Sequence, residues 1–251
     1  PWGLVAVQGK DASGSIFDYV EFEHGSVDTR GLIHYTSQFN IHDVDWFEVR
    51  NCKIGRNFVG DDAMHIAYAK GVVDGCEFTN ARSDGLDIDI AEVVITNNVF
   101  YNSGNDGLDI MTTKMTASNN MFIDTGDKGI SVGEWSEAEI TDSFFLRTMI
   151  GLEIKDKSIV SADNLMFIDS EDKAINLYNK NSRYDEGGIL EGENLYFLGN
   201  VKVKADQRSN SSIVNKIDGL MPSWNDSQWY IRQNGNPYQP MVDNGVLNYE
   251  N

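Results

Sequence analysis

The chain has 251 residues, 41% of them hydrophobic, and a formal net charge of −19 from 39 acidic and 20 basic side chains. A chain of this length can bury a large core, and it contains no apolar run of the ~18 residues that a membrane-spanning helix needs. The charge excludes nucleic acid as a partner, because phosphate backbones are held by clustered Lys and Arg.

Pro1-Trp2-Gly3 lead straight into a strand-like pattern without a signal peptide, so the chain reads as a fragment or a processed product lacking an upstream cap. Residues 1–26 carry strands over 4–7 and 16–22. From Phe22 to Ile54 is 32 residues, so about ten extra residues loop out over 27–48 around Ile33, His34, Tyr35, His42, Trp46 and Phe47. Such an excursion often walls a binding groove. Val49, Cys52 and Ile54 precede Gly60-Asp61-Asp62-Ala63-Met64-His65-Ile66.

Over 70–177 the pattern becomes regular. Phe78, Phe100, Phe122, Phe145 and Phe167 are 22, 22, 23 and 22 residues apart, and Gly85, Gly107, Gly129, Gly151 and Ala174 keep step with them. Each small residue is followed by a short alternation such as Leu86-Asp87-Ile88, and Gly, Asn and Asp punctuate the segments at fixed offsets. Alternation means strands, and the punctuation means turns. Strands this short, repeating at a fixed period, must lie over their own equivalents in parallel, one coil per repeat. The L-x-x-L-x-L pattern of a leucine-rich horseshoe is absent. A second excursion falls at 179–188 with Arg183, Tyr184 and Asp185, and 194–204 make the last recognisable coil. Residues 1–205 are therefore read as an all-β, right-handed parallel β-helix with ~22-residue coils. Residues 206–251, with Trp224, Trp229, Tyr230, Tyr238 and Tyr249, are read as an irregular C-terminal cap.

Cys52 and Cys76 fall in one column of adjacent coils, about 4.8 Å apart. They are either a disulfide or two small buried thiols whose place Asn98 and Asn120 take further along. The outward strand residues form a column of His65, Asp87, Asp109, Ser131, Glu153 and Asn176. The preceding turn gives a second column of Asp62, Asp84, Asp106, Lys128, Ile150 and Lys173, and a third runs Ala67, Asp89, Met111, Gly133, Lys155 and Tyr178. Carboxylates stacked this closely repel unless something intervenes. Ca²⁺ on Asp84, Asp87, Asp106 and Asp109 would do so, as would retained protons or turn aspartates bonded to backbone N–H groups. Lys128 and Lys155 suit a uronate carboxylate, with a plain Asp106–Lys128 ion pair as the alternative. His65 could work as acid or base.

The segments GDDAMHI, SDGLDIDI, NDGLDIM and GDKGISVGE, with the following ITNNVF-type strand, resemble repeats of the pectate-lyase-like β-helix superfamily, most of all a bacterial, exported branch. Gly60-Asp61-Asp62 is similar to the G-D-D segment of polygalacturonases, but their companion N-T-D, G-H-G and R-I-K motifs are absent, and the outward column lacks the Arg of pectate lyases; Arg82 and Arg147 lie in turns nearby. The resemblance implies a secreted, cell-surface or periplasmic carbohydrate-active protein, monomeric or part of a larger multidomain chain. Its partner would be an acidic polysaccharide, cleaved by Ca²⁺-assisted β-elimination. Lys128, His65 and Asp109 would be catalytic, with Asp87, Glu153, Lys155 and Arg82 on the substrate. Two other readings stay open: a glycoside hydrolase with an Asp pair, and a non-catalytic glycan-binding or spacer module.

Overall fold

Three- to five-residue alternating segments cannot bury an apolar face alone, so each must lie on its counterpart in the next repeat. The computed structural model describes residues 2–199 and 202–219. A first sheet of nine strands runs from Val5–Gln8 through Phe39–His42, Met64–Ala67, Leu86–Asp89, Leu108–Met111, Lys128–Gly133, Ile150–Lys155 and Lys173–Tyr178 to Val203–Ala205. Every pairing within it is parallel, with Leu86 opposite Leu108 and Leu108 opposite Ile130. The fold is thus the parallel β-solenoid expected from the ~22-residue period. No helix among the described residues is long and apolar enough to cross a membrane.

A second sheet of fifteen strands wraps the rest of each coil. Lower in the stack each coil gives it two short strands, such as Glu92–Thr96 and Val99–Tyr101, divided by a bend. Higher up these fuse into Ile159–Ile168 and Ile189–Leu198. The bend uses the left-handed backbone at Asn97, Asn119 and Asn164, with φ of 62°, 58° and 55°. Asn tolerates this region better than most residues.

The phenylalanine period becomes a column of rings inside the stack. Consecutive centroids from Phe78 to Phe167 are 4.7, 4.8, 5.0 and 4.7 Å apart, with planes within 11° of parallel, and Phe197 extends the column at 5.4 Å. The glycine period follows from this column. A Cβ on Gly107 would lie 2.8 Å from Cδ1 of Phe122, and one on Gly129 or Gly151 would lie 2.5 Å from the ring of Phe145 or Phe167. The ring of the next coil fills the space a side chain would need.

Cys52 and Cys76 are free and buried. The Cys52 N–H points at Sγ of Cys76 at 3.4 Å, and the Cys76 N–H donates to Oδ1 of Asn98 at 2.8 Å. The Asn98 N–H donates to Oδ1 of Asn120 at 3.0 Å. The shared column is therefore a run of side-chain acceptors for backbone donors at a bend, not a disulfide.

Two details differ from the sequence reading. The strand Asn210–Asp218 pairs in parallel with Ile189–Leu198, so the stack continues past the boundary placed at residue 205. The expected cap over 220–251 lies outside the described residues. The first excursion is an antiparallel hairpin, Asp28–Arg30 with Ile33–Tyr35, so Ile33 and Tyr35 belong to the excursion and the coil strand is Phe39–His42.

In urea unfolding, Phe122→Ala should cost about 3–5 kcal/mol, because it opens a void between two stacked rings. Gly107→Ala should cost about 1–3 kcal/mol by overpacking the same column. A Gly107→Ala protein as stable as the parent would refute the interlock of ring and glycine.

Candidate active site

The register stacks the outward residues as the period requires. Asn40 lies opposite His65, His65 opposite Asp87, Asp87 opposite Asp109, Asp109 opposite Ser131, Ser131 opposite Glu153, and Glu153 opposite Asn176. Asp89 lies opposite Met111, and Lys155 opposite Tyr178. The expected ridge is thus one continuous strip of the first sheet.

The charges along it are relieved in three ways. In the turn column, Oδ1 of Asp84 accepts the Asp106 N–H at 2.8 Å and the Asn105 side-chain amide at 2.7 Å. Oδ1 of Asp106 accepts the Lys128 N–H at 3.0 Å and its ammonium at 3.3 Å. These two aspartates secure the turn of the next coil, as Asx turns do. Higher up, the half-buried Lys128 and the buried Lys155 intervene. Lys128 also bonds Asp127 and stands 3.9 Å from Glu153, while Lys155 donates to Oγ of Ser131 at 2.7 Å and lies 4.0 Å from Asp109. Burial pulls the Lys128 ammonium down, but Asp106, Asp127 and Glu153 outweigh it and hold its pKa above the ordinary value. Lys128 is therefore a fixed cation and cannot act as a base near neutral pH.

At the lower end no Lys or Arg among the described residues comes within ion-pair distance of Asp62, Asp84, Asp87 or Asp89. The nearest nitrogen group there is the His65 imidazole, whose Nε2 lies 3.4 Å from Asp89 and 3.9 Å from Asp87. Burial, then Asp62, Asp89, Asp109 and Asp84, push the Asp87 carboxyl up to about 9. Its side chain keeps 26% exposure, so it remains reachable from solvent. Burial, then Asp84 and Asp61, push Asp62 up to about 8 against a bond from Oγ1 of Thr36 at 3.0 Å. Asp106 rises to about 7 through burial, with Lys128 opposing and Asp109 and Asp84 adding to it.

The metal-donor set differs from the expected quartet. His65, Asp87 and Asp89 offer donor atoms within 4.8 Å of one another, and Asp84, Asp106 and Asp109 fall outside that group. Asp84 and Asp106 have turned oxygens toward the backbone of the next coil, and Asp109 stands beside Lys155. Arg82 sits in the turn with Nη1 on the Gly60 carbonyl at 2.8 Å, and Arg147 grips Asp124 at 2.7 and 2.8 Å. Neither guanidinium enters the ridge columns.

The sequence reading gave no role to Asp89, His42 and Tyr178, although Asp89 and Tyr178 stood in its third column. Nε2 of His42 and Nδ1 of His65 are 3.0 Å apart, and burial together with His65 pushes the His42 imidazolium down to about 4. A neutral His42 fixes the orientation of the His65 ring. The hairpin backs this pair, because Tyr35 stacks on His42 at 5.5 Å. The Tyr178 hydroxyl and the Asn176 amide donate to Glu153 at 3.3 and 2.9 Å.

The model of a right-handed β-helix region matches residues 8–201. The chain belongs to that family. Among solved structures it is similar to an alginate lyase from Paenibacillus sp. strain FPU-7, at 11% identity and a TM-score of 0.58, covering 79% of this chain and 78% of that one. It is also similar to full-length tailspike protein 2 from the Escherichia coli O157:H7 bacteriophage CAB120, at 12% identity and a TM-score of 0.54. That match covers 83% of this chain and 34% of the tailspike. At these identities the likeness is one of fold. No curated protein sequence matches the chain.

The raised carboxyls set a pH dependence. Asp62 and Asp87 hold protons in the folded chain that they release near 3.8 when unfolded. The folded state then binds more protons between about pH 4 and about pH 9, so stability falls as pH rises through that window. Each proton accounts for at most about 1.4 kcal/mol per pH unit, less at Asp87 because water reaches it. Asp87→Asn should flatten the decline of melting temperature with pH, and a decline identical to the parent's would show that Asp87 ionises freely.

Proposed function

We propose that this β-helix acts outside the cell on an acidic, uronate-containing polysaccharide and cleaves it by β-elimination along the ridge of the first sheet. The observation that carries this reading is the lower end of the ridge. Asp62, Asp84, Asp87 and Asp89 gather there without a Lys or Arg counter-charge, on the face that also carries Lys128 and Lys155. A polyanion can approach such a surface only with cations between them. The donors fit that need. Asp87 and Asp89 would supply the oxygens Ca²⁺ prefers, with Asp87 releasing its proton to solvent as the ion binds. A bound Ca²⁺ would neutralise the uronate carboxylate and make the proton beside it more acidic.

The chain's own groups divide the remaining work. Lys128 and Lys155 bring their side-chain nitrogens to the substrate strip, with Glu153 held by Tyr178 and Asn176 as its upper boundary. His65 takes the C5 proton, in a ring position fixed by His42. Asp109, one coil above Asp87, is the group assigned to protonate the leaving oxygen. A second reading, glycoside hydrolysis, is favoured by the Asp87 carboxyl, whose proton held to about 9 is what a general acid requires.

Incubation with alginate, pectate and bacterial exopolysaccharides tests the choice. β-Elimination raises ultraviolet absorbance through the unsaturated uronate product, and EDTA abolishes the rise. New reducing ends without absorbance support hydrolysis, and no turnover on any glycan leaves a binding module. For the lyase, His65→Ala should lower kcat about 10²–10⁴-fold. Zn²⁺ should inhibit where Ca²⁺ activates, because it takes nitrogen as well as oxygen and would occupy His65.

A further inference from the structure

Each coil must place residues in the left-handed backbone region at its bends. At the other bends most of these positions hold residues suited to it, such as Asn97 and Asn119, or Asn80, Asn102 and Asp124, with Tyr19, Arg56 and Arg147 among the isolated exceptions. At the bend that leaves the first sheet they hold Tyr68, Ile90, Thr112 and Trp135, with φ of 54°, 51°, 50° and 62°. Bulky and β-branched side chains are strained there. The coil between Phe122 and Phe145 is one residue longer than its neighbours and spends the extra residue at this bend, where Glu134 and Trp135 both have positive φ. Burial does not repay the strain: Tyr68 is 60% exposed, Ile90 42% and Trp135 61%. Strain without a packing return points to a surface kept for contact with something else.

These side chains form one wall of an open groove of about 650 Å³ running along the stack. Small residues, Ala69, Ala91 and Thr113, line its floor. The opposite wall is a charge ladder of alternating sign: Lys70 lies opposite Glu92, Glu92 opposite Lys114, and Lys114 opposite Glu137. Lys70 and Glu92 are paired at 2.7 Å. Trp135 is braced from the side by Tyr184, edge-on at 6.3 Å, and by the Lys157 ammonium at 6.0 Å.

We propose that this groove binds an uncharged polysaccharide chain lying along the stack, separate from the acidic ridge. Aromatic and aliphatic faces pack against the C–H faces of sugar rings. Each ring hydroxyl both donates and accepts, so it meets a carboxylate and an ammonium together on the ladder. The alternation leaves that wall close to neutral in a chain of net charge −19, so it offers no net attraction to a uronate. Tyr68 and Trp135 are three coils apart, about 14 Å, the reach of a short oligosaccharide.

The test is calorimetric titration of the full chain with cellohexaose, laminarihexaose, xylohexaose and an alginate oligosaccharide. It is repeated on a Tyr68→Asn, Trp135→Asn double variant, in which Asn suits the backbone at both positions. The parent should bind at least one of the neutral probes, and the variant should bind it about tenfold or more weakly. The variant should also melt at a higher temperature and keep any uronate turnover of the ridge unchanged. Failure of the parent to bind any neutral probe overturns the proposal, as does equal binding by the variant or a lower melting temperature. A concentration-dependent dimer that the variant dissolves would assign the wall to self-association and overturn it too.

Discussion

Parallel backbone pairing between one repeat and the next is the interaction on which the rest depends. Each strand is hydrogen-bonded to its own equivalents, so a side chain has no choice of neighbour: it lies on the residue one period away. Phe therefore meets Phe, and the glycine beside it must stay bare because the next ring occupies its Cβ space. Rung spacing, ring spacing and glycine placement are one geometric condition expressed three times. Side-chain acceptors for the backbone at a bend follow the same rule, whether the acceptor is the sulfur of Cys76 or the amide of Asn98.

On the outer face the same condition is costly, because it stacks carboxylate on carboxylate. Relief comes from whatever each coil has within reach. Asp84 and Asp106 turn to backbone N–H groups, and Lys128 and Lys155 insert their ammonium groups further up. Asp62, Asp87 and Asp89 receive neither, and their charge is left to protons, to His65 and to whatever cation or substrate arrives. The reactive part of the ridge is thus the part the fold does not neutralise.

The fold was legible in the sequence because one period carried both the strand alternation and the Phe and Gly columns. The three columns followed from counting, and the register bears out their stacking, although Ser131, Glu153 and Lys155 lie buried within them. Counting could not show where side-chain atoms converge. Asp89 reaches His65 while Asp84 turns to the Asp106 N–H, although both are aspartates beside the same strand. His42 was hidden for another reason: it precedes Ala67, its register partner, by 25 residues, so the ~22-residue period does not align the two. The strand at 210–218 has no phenylalanine to mark it and keeps its place through backbone pairing, with Ile213 and Ile217 packed against the core.

The constancy of the repeat also bears on how such a molecule changes size. Because every column advances by one place per coil of about 22 residues, duplicating a whole coil in the regular stretch would insert one rung and leave the ring stack and the outward strip unbroken. A gain or loss of a few residues within a strand would slide two neighbouring coils out of step and place a side chain where a bare glycine is required. Growth by whole periods is therefore nearly free and growth by fractions is not. The length of a surface on such a stack becomes a matter of copy number, open to lengthening by recombination without redesign of any single contact.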